Sequence, residues 1–235
     1  MNFLTNFIVE SDAIEGIQAD QQLVKAQLEE GFDKGHVGAL LLLEVLAQNK
    51  TILTENVVRQ VQGLITAEQH TKPGGPKLKP EWIGEYRLVN VIIQYKLGNI
   101  IIGGRTAPSP ALVPLLMESW ASRLAVWQER NLDNPTLESL CSIARFHYEY
   151  EYIHPFVDGN GRSGRALVYY LLRYCGIKPF IFSNSDKHKT YYRCFDEPEA
   201  MCKYFMSKAE IKTPTPDDRS LEEKTNWENE GGSFK

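Results

Sequence analysis

Twelve consecutive residues, His154-Pro155-Phe156-Val157-Asp158-Gly159-Asn160-Gly161-Arg162-Ser163-Gly164-Arg165, combine types that could handle a polyphosphate. Gly159 and Gly161 flank Asn160 just ahead of a predicted helix. Glycines tolerate unusual backbone angles and let a ligand approach the main chain. Successive N–H groups in such a turn form an anion nest, and the helix N-terminus adds the positive end of its dipole. Arg162 and Arg165 lie three apart, so both project near that helix start. Asp158 offers a hard oxygen ligand, suited to the Mg²⁺ that travels with a nucleotide. His154, with an ordinary pKa of about 6.5, can take a proton from a hydroxyl at neutral pH. Singly, a His before Pro, an Asp-Gly-Asn-Gly turn and two arginines at a helix start are common structural features. Together they describe a phosphate cradle with a base at its edge.

The elements that must position this loop are mostly helical. Asp12 to Glu30 has a loose apolar face from Ile14, Ile17, Leu23 and Leu28, with Gly31 as its stop. Val37 to Ala47 is a buried helix candidate, and Thr54 can cap a helix running through Val57, Val58, Val61, Leu64 and Ile65. The stretch from His70 to Pro80 is a Pro/Gly-rich loop. Val89 to Tyr95 and Ile100 to Ile102, rich in β-branched residues and joined by Gly98-Asn99, predict a β-hairpin. Helices follow from about Leu115 to Gln128 and from Pro135-Thr136 onward, the second ending at His154. Ala166 to Cys175 is apolar almost all round, so the helix behind the loop belongs at the centre of the fold. Gly176 and Pro179 end it.

The chain of 235 residues suits one large domain with small appendages, and 43% hydrophobic residues can fill its core. The reading divides it into an N-terminal segment over 1–35, a core over 36–212 and a polar tail over 213–235 with a short helix near Leu221. A net charge of −4 argues against a protein that coats nucleic acid. The longest apolar run, Val37 to Ala47, is too short to span a bilayer, and no signal-peptide pattern opens the chain. None of the four cysteines forms a CxxC pair; Cys141 and Cys175, in apolar helical patterns, read as buried thiols in a reducing compartment. A soluble cytoplasmic protein follows, and assembly with further copies stays open.

The loop resembles the signature of the Fic family, His-Pro-Phe-x-Asp/Glu-Gly-Asn-Gly-Arg-x-x-Arg, and every specified position matches. Ala144, His147, Tyr148, Glu151 and Ile153 upstream, the Gly84-x-Tyr86-Arg87 segment and the hairpin are also similar, so the resemblance covers roughly residues 10 to 205. It implies a mainly α fold with a β-hairpin flap, and transfer of AMP from ATP to a Ser, Thr or Tyr hydroxyl of a target protein. By that resemblance His154 is the base and Asp158 holds Mg²⁺. The phosphate set is Gly159, Asn160, Gly161, Arg162, Gly164 and Arg165, with Arg165 on the γ-phosphate. An extended target segment would dock on the flap within Ile100 to Arg105, at Ile102, Gly103, Gly104 and Arg105. Tyr191 and Tyr192 resemble a pair lining the adenine pocket; two aromatics buried in a helix is the plainer alternative. Gly161 stands where a kinase-like branch carries Lys, which favours AMP transfer.

Ser11-Asp12-Ala13-Ile14-Glu15-Gly16 resembles the family's inhibitory motif, Ser/Thr-x-x-x-Glu-Gly/Asn. The resemblance implies that Ser11, Glu15 and Gly16 sit on a helix whose Glu15 pairs with Arg165 and excludes the γ-phosphate. Asp12 and Glu15 also read as a capping pair in a first helical turn. Gly16 favours the latch, because a glycine inside a helix costs about 1 kcal/mol and needs a reason such as close approach to another element. His147, Glu151 and His154 share one helix face at i, i+4 and i+7, a spacing that could also chelate a transition metal. Three other activities remain open: a nucleotide-binding scaffold without turnover, removal of AMP with water placed by Glu15, and kinase-like transfer.

Overall fold

The computed structural model describes residues 3–67, 78–97 and 100–211. The order is α1 (Phe3–Ile14), α2 (Gln21–Glu30), α3 (Gly35–Gln48), α4 (Glu55–Thr66), β1 (Ile92–Leu97), β2 (Ile100–Thr106), α5 (Val113–Arg130), α6 (Leu137–Ile153), α7 (Asn160–Tyr174) and α8 (Pro198–Lys208). A π-turn, Lys187–Tyr191, and a 3₁₀ turn, Tyr192–Phe195, lead into α8. This is the mainly α fold with one hairpin that the sequence predicts. The loop over 70–77, Gly98-Asn99 and the tail from Lys212 lie outside the described residues.

Helix α7 is the central element. Ala166 through Leu172 and Tyr174 are buried along it, and α1, α3, α4 and α6 pack around it. Burying each Leu or Val side chain contributes roughly 1.5–3 kcal/mol, which is why an almost uniformly apolar helix sits inside. Thr54 caps α4 by accepting from Val57 N, and Thr136 caps α6 by accepting from Ser139 N. The two strands pair antiparallel, with Ile92 opposite Thr106 and Ile93 opposite Arg105; the register slips between Tyr95 and Lys96. No described helix is long and apolar enough to cross a membrane.

The N-terminal region forms two helices, α1 and α2, where the sequence predicts one from Asp12 to Glu30. Asp12 does not start a helix; it lies near the end of α1, which begins at Phe3 and buries Phe7, Ile8 and Ile14. The chain then breaks at Gly16, whose φ of 77° is left-handed, with Ile17 N donating to Asp12 O at 2.9 Å. Gly16 therefore ends a helix, and nothing lies within 4 Å of where its Cβ would be. Its reason is backbone conformation, not close approach. Asp20 caps the separate α2, and Gly31 ends it as expected. Cys141 is not a free buried thiol either. The α6–α8 contact brings Cys141 and Cys202 to a Cα separation of 4.8 Å, and they form a disulfide. Cys175 is buried and free, its thiol pushed up to about 12 by burial.

Candidate active site

The 154–165 loop joins the end of α6 to the start of α7, and two side chains from outside and one from within fix its shape. His154 closes α6 in a left-handed conformation, φ 49°, with its N–H on Tyr150 O at 2.9 Å. A non-glycine there costs on the order of 1–2 kcal/mol, so other contacts must hold it. Arg87, 1% exposed, does so. Its Nε donates to His154 O at 2.8 Å and its Nη2 to Pro108 O at 2.6 Å and Ile153 O at 3.3 Å, while its backbone N–H meets Pro155 O at 2.9 Å. A cation at the carbonyl end of a helix also complements its dipole. Gln62, on α4, donates to Asp158 O at 2.9 Å and accepts from Gly84 N at 2.7 Å. Asn160 closes the loop from within: its Oδ1 accepts from Phe156 N and its Nδ2 donates to Phe156 O, both at 2.9 Å.

The glycines divide by role. Gly159 has φ 78°, and an added Cβ would fall 2.6 Å from Thr66 Cγ2. Gly161 faces Glu15, whose Oε1 would collide with any Cβ there. Gly164 points the other way, into α6, where a Cβ would meet Glu151 and approach His147. Of the six expected phosphate residues, Gly164 thus faces the helix interface, and the Asn160 side chain is engaged with the loop itself.

His154, Gly161, Arg165, Tyr191 and Tyr192 line one cavity of about 210 Å³, together with Glu15. Arg165 is 1% exposed. Its Nη2 donates to Glu15 Oε1 at 2.8 Å and to Ser11 O at 2.9 Å, and its Nε to Ser11 Oγ at 3.0 Å. Burial works against the Arg165 charge, but Glu15, Tyr191 and Glu151 together outweigh it and hold the guanidinium above its ordinary value. The Ser11–Glu15–Arg165 grouping is the one the inhibitory motif implies, and Asp12 and Glu15 are not capping a first turn. Arg162 is buried, with Asp12 and Asp158 each 4.0 Å from its guanidinium. Asp12 in turn sits 3.0 Å from His36 Nδ1.

Burial dominates the titrations. It pulls His154 down to about 4, helped by the Arg105 charge and opposed by Glu15. It pushes Glu151 up to about 8, where Arg165 and Arg105 work against it and Glu15 adds to it. His147 falls to about 3, first by burial and then by Arg165. Its Nε2 lies 2.8 Å from Tyr191 OH, inside a box of Phe182, Tyr191, Phe195 and Phe205. His147 is therefore a packed residue, and among the described residues no group of three or more His, Cys, Asp or Glu is placed to hold a metal. The helix-face triad is not a chelating site. Tyr191 is buried and Tyr192 half-buried, so the pair is both packed and facing the cavity.

The flap residues separate. Gly103 and Gly104 pair with Tyr95 and Gln94, and Ile102 falls at the register slip. The Arg105 side chain turns inward to Glu151 O and Tyr152 instead of outward. Gln62 and the clamping role of Arg87 were not foreseen; the only sequence signal was a lone arginine between Tyr86 and the apolar Leu88-Val89.

Comparison with known proteins adds the family. The Fic/DOC family pattern matches residues 52–172. The chain is 32% identical over 99 residues to the Protein adenylyltransferase Fic of Drosophila yakuba and 33% identical over 99 residues to that of Drosophila melanogaster. Each alignment takes in 42% of this chain and 19% of the relative, so the chain spans about a fifth of the length of the curated relatives it matches. Among solved structures, a Fic domain containing signaling protein from Bacteroides thetaiotaomicron superposes with a TM-score of 0.62 at 24% identity, covering 85% of this chain and 76% of that one. Fic-1 from C. elegans gives 0.61 at 15% identity, covering 97% and 64%. At these identities the structural likeness concerns the fold. The family pattern takes in more than half of the sequence, and the chain belongs to the Fic/DOC family.

Proposed function

We propose that the chain is an autoinhibited protein adenylyltransferase, moving AMP from ATP to a serine, threonine or tyrosine hydroxyl of a target protein and of itself. One observation carries this reading: His154, Gly161 and Arg165 open onto the same cavity, with Glu15 seated on Arg165 inside it. The relatives named protein adenylyltransferase support it.

In the reaction the target hydroxyl gives its proton to the His154 imidazole while its oxygen attacks the α-phosphorus. The bond from that phosphorus to the β-phosphate oxygen breaks, and diphosphate leaves. Burial keeps His154 neutral, and the negative charge of a bound triphosphate raises its pKa toward a working range. The free N–H groups opening α7 face the charge that develops on the α-phosphoryl oxygens. Arg162 holds phosphate oxygens, and Arg165 takes the γ-phosphate once Glu15 has left. Asp158 fits the Mg²⁺ site: its side chain is 33% exposed at the rim of the loop, and one protein carboxylate suffices for an ion that keeps waters and phosphate oxygens as its other ligands. Bound there, Mg²⁺ would neutralise phosphate charge. With Glu15 in place the cavity is smaller than the 300–1,000 Å³ usual for ligand pockets, in keeping with a closed resting state.

Labelled ATP tests this. Label on the α-phosphate should enter protein, more with Glu15→Gly than with wild type, and should vanish in the Glu15→Gly, His154→Ala double variant. The Glu15–Arg165 pair joins a buried cation to a carboxylate side chain 36% exposed, so its contribution is about 1–2 kcal/mol. That converts to a gain of roughly tenfold on release. Incorporation of γ-label alone would sink the AMP reading. No incorporation even by Glu15→Gly would make the chain a nucleotide-binding scaffold.

A further inference from the structure

We propose that Arg105 is a positioning residue for the transfer: it pins the hairpin to the last turn of α6 and so sets the cavity wall that faces His154. The inference rests on His154 being the base of the proposed reaction. Arg105 lies on β2, yet its Nη2 donates to Glu151 O at 2.6 Å, and its guanidinium carbon stands 4.3 Å from the centre of the Tyr152 ring. Both contacts fall within three residues of His154. The Glu151 carbonyl is one of those left without a helical partner at a helix end, so the hairpin supplies a hydrogen bond that α6 cannot. Across the strand pair, Arg105 is opposite Ile93, and Ile92 and Ile93 form the hairpin's side of the cavity. The pin therefore connects the end of α6, the two strands and the wall over the imidazole.

The pin matters because an isolated two-stranded sheet is marginal in water. The described hairpin pairs with no third strand. Its second function is electrostatic. Among the described residues no carboxylate forms an ion pair with Arg105; a carbonyl and an aromatic face are its contacts, and the nearby Glu151, which burial keeps protonated up to about 8, offsets little of its charge. A second positive charge on His154 is then disfavoured. The other titratable groups facing the imidazole are Glu151 of its own helix, whose Oε2 is 3.9 Å from His154 Nδ1, Glu15 after α1, and Arg87 before β1. Glu15 favours the imidazolium, and Arg87 acts with Arg105 against it.

The test uses ATP-free protein: amide exchange of 92–97 and 100–106, and the NMR titration of the His154 ring, in wild type, Arg105→Gln and Arg105→Lys. In Arg105→Gln, strand exchange should rise about tenfold, and the His154 midpoint should rise by about one pH unit as the charge goes. Arg105→Lys keeps the charge and loses the fork, so exchange should rise while the midpoint stays near that of wild type. A merely structural arginine would change exchange and leave the midpoint unmoved in both variants, and that result overturns the proposal. So does unchanged exchange in both. Thermal melting identifies a variant that fails to fold; if Arg105→Gln does, Arg105→Met, which also removes the charge, replaces it and is read by the same His154 midpoint. Neither readout involves turnover. An absence of α-label in Glu15→Gly would thus refute the adenylyl reading while leaving the Arg105 measurements to stand or fall separately.

Discussion

At Gly161 the local rules conflict. In the first turn of α7 an alanine should be better than glycine by about 1 kcal/mol, and the position does not require a positive φ. The glycine is there because the Glu15 carboxylate and Arg165 Nη1 occupy the space a Cβ would take. Glu15 can swing outward, but only by giving up its bond to Arg165. Gly161→Ala should therefore be neutral or slightly destabilising in wild type and stabilising by about 0.5–1 kcal/mol in Glu15→Gly. Urea melts of the four-member cycle measure the coupling, and a value near zero would mean that Glu15 does not rest against Gly161 in solution. Asn160 follows a simpler rule. Its amide meets both polar groups of the buried Phe156 backbone, so Asn160→Ala leaves a donor and an acceptor unsatisfied. Its expected cost is about 2–4 kcal/mol in the same melts.

Among the elements, α1 is held by more than the Glu15 pair. Ile14 O, at its C-terminal end, accepts from Lys187 Nζ at 3.2 Å and from Tyr192 OH at 3.4 Å, and Glu10 Oε2 accepts from Asn184 N at 2.7 Å. The segment over 183–192 thus braces the latch and also carries the two tyrosines of the cavity. Lys187 is not itself a cavity residue, and a cation at a helix C-terminus contributes about 0.3–1 kcal/mol. Lys187→Met should raise resting α-label incorporation about two- to fivefold over wild type. Unchanged incorporation would show that Glu15 alone sets the latch. The brace was illegible in the sequence for the same reason as Arg87 and Gln62: each acts on a partner 67 to 174 residues away. The 154–165 loop was legible because its parts are contiguous, and α4 and α6 because Thr54 and Thr136 cap them where an apolar helical period begins. The boundary of α1 was misread because acids at Asp12 and Glu15 look like a first turn, whereas burial of Phe7 and Ile8 starts the helix at Phe3 and a left-handed Gly16 stops it.

For the whole molecule, the buried titratable groups set where along pH the fold is most stable. His147 and His154 have folded values of about 3 and about 4 against an ordinary 6.5. Below about 6.5 the unfolded chain takes up protons that the fold refuses, so stability falls as the solution is acidified from there toward pH 4. Glu151 acts with the opposite sign: its folded value is about 8 against 4.5. Between those values the fold keeps a proton that the unfolded chain has lost, so stability falls as pH rises toward 8. Two histidines outweigh one carboxyl below pH 6.5, and the carboxyl acts alone above it, which places the maximum near pH 6.5. Glu151→Gln should remove the alkaline decline: its stability relative to wild type grows from about pH 5 to about pH 8 and then levels. His147→Gln should nearly flatten the acid limb between about pH 4.5 and 6.5, where His154 and Glu151 then oppose each other one against one. Urea melts of the three proteins from pH 4 to 9 measure both. If the Glu151→Gln curve runs parallel to wild type throughout, Glu151 ionises in the fold as it does in water, and Arg165 must then be shared by two carboxylates at neutral pH rather than held by Glu15 alone.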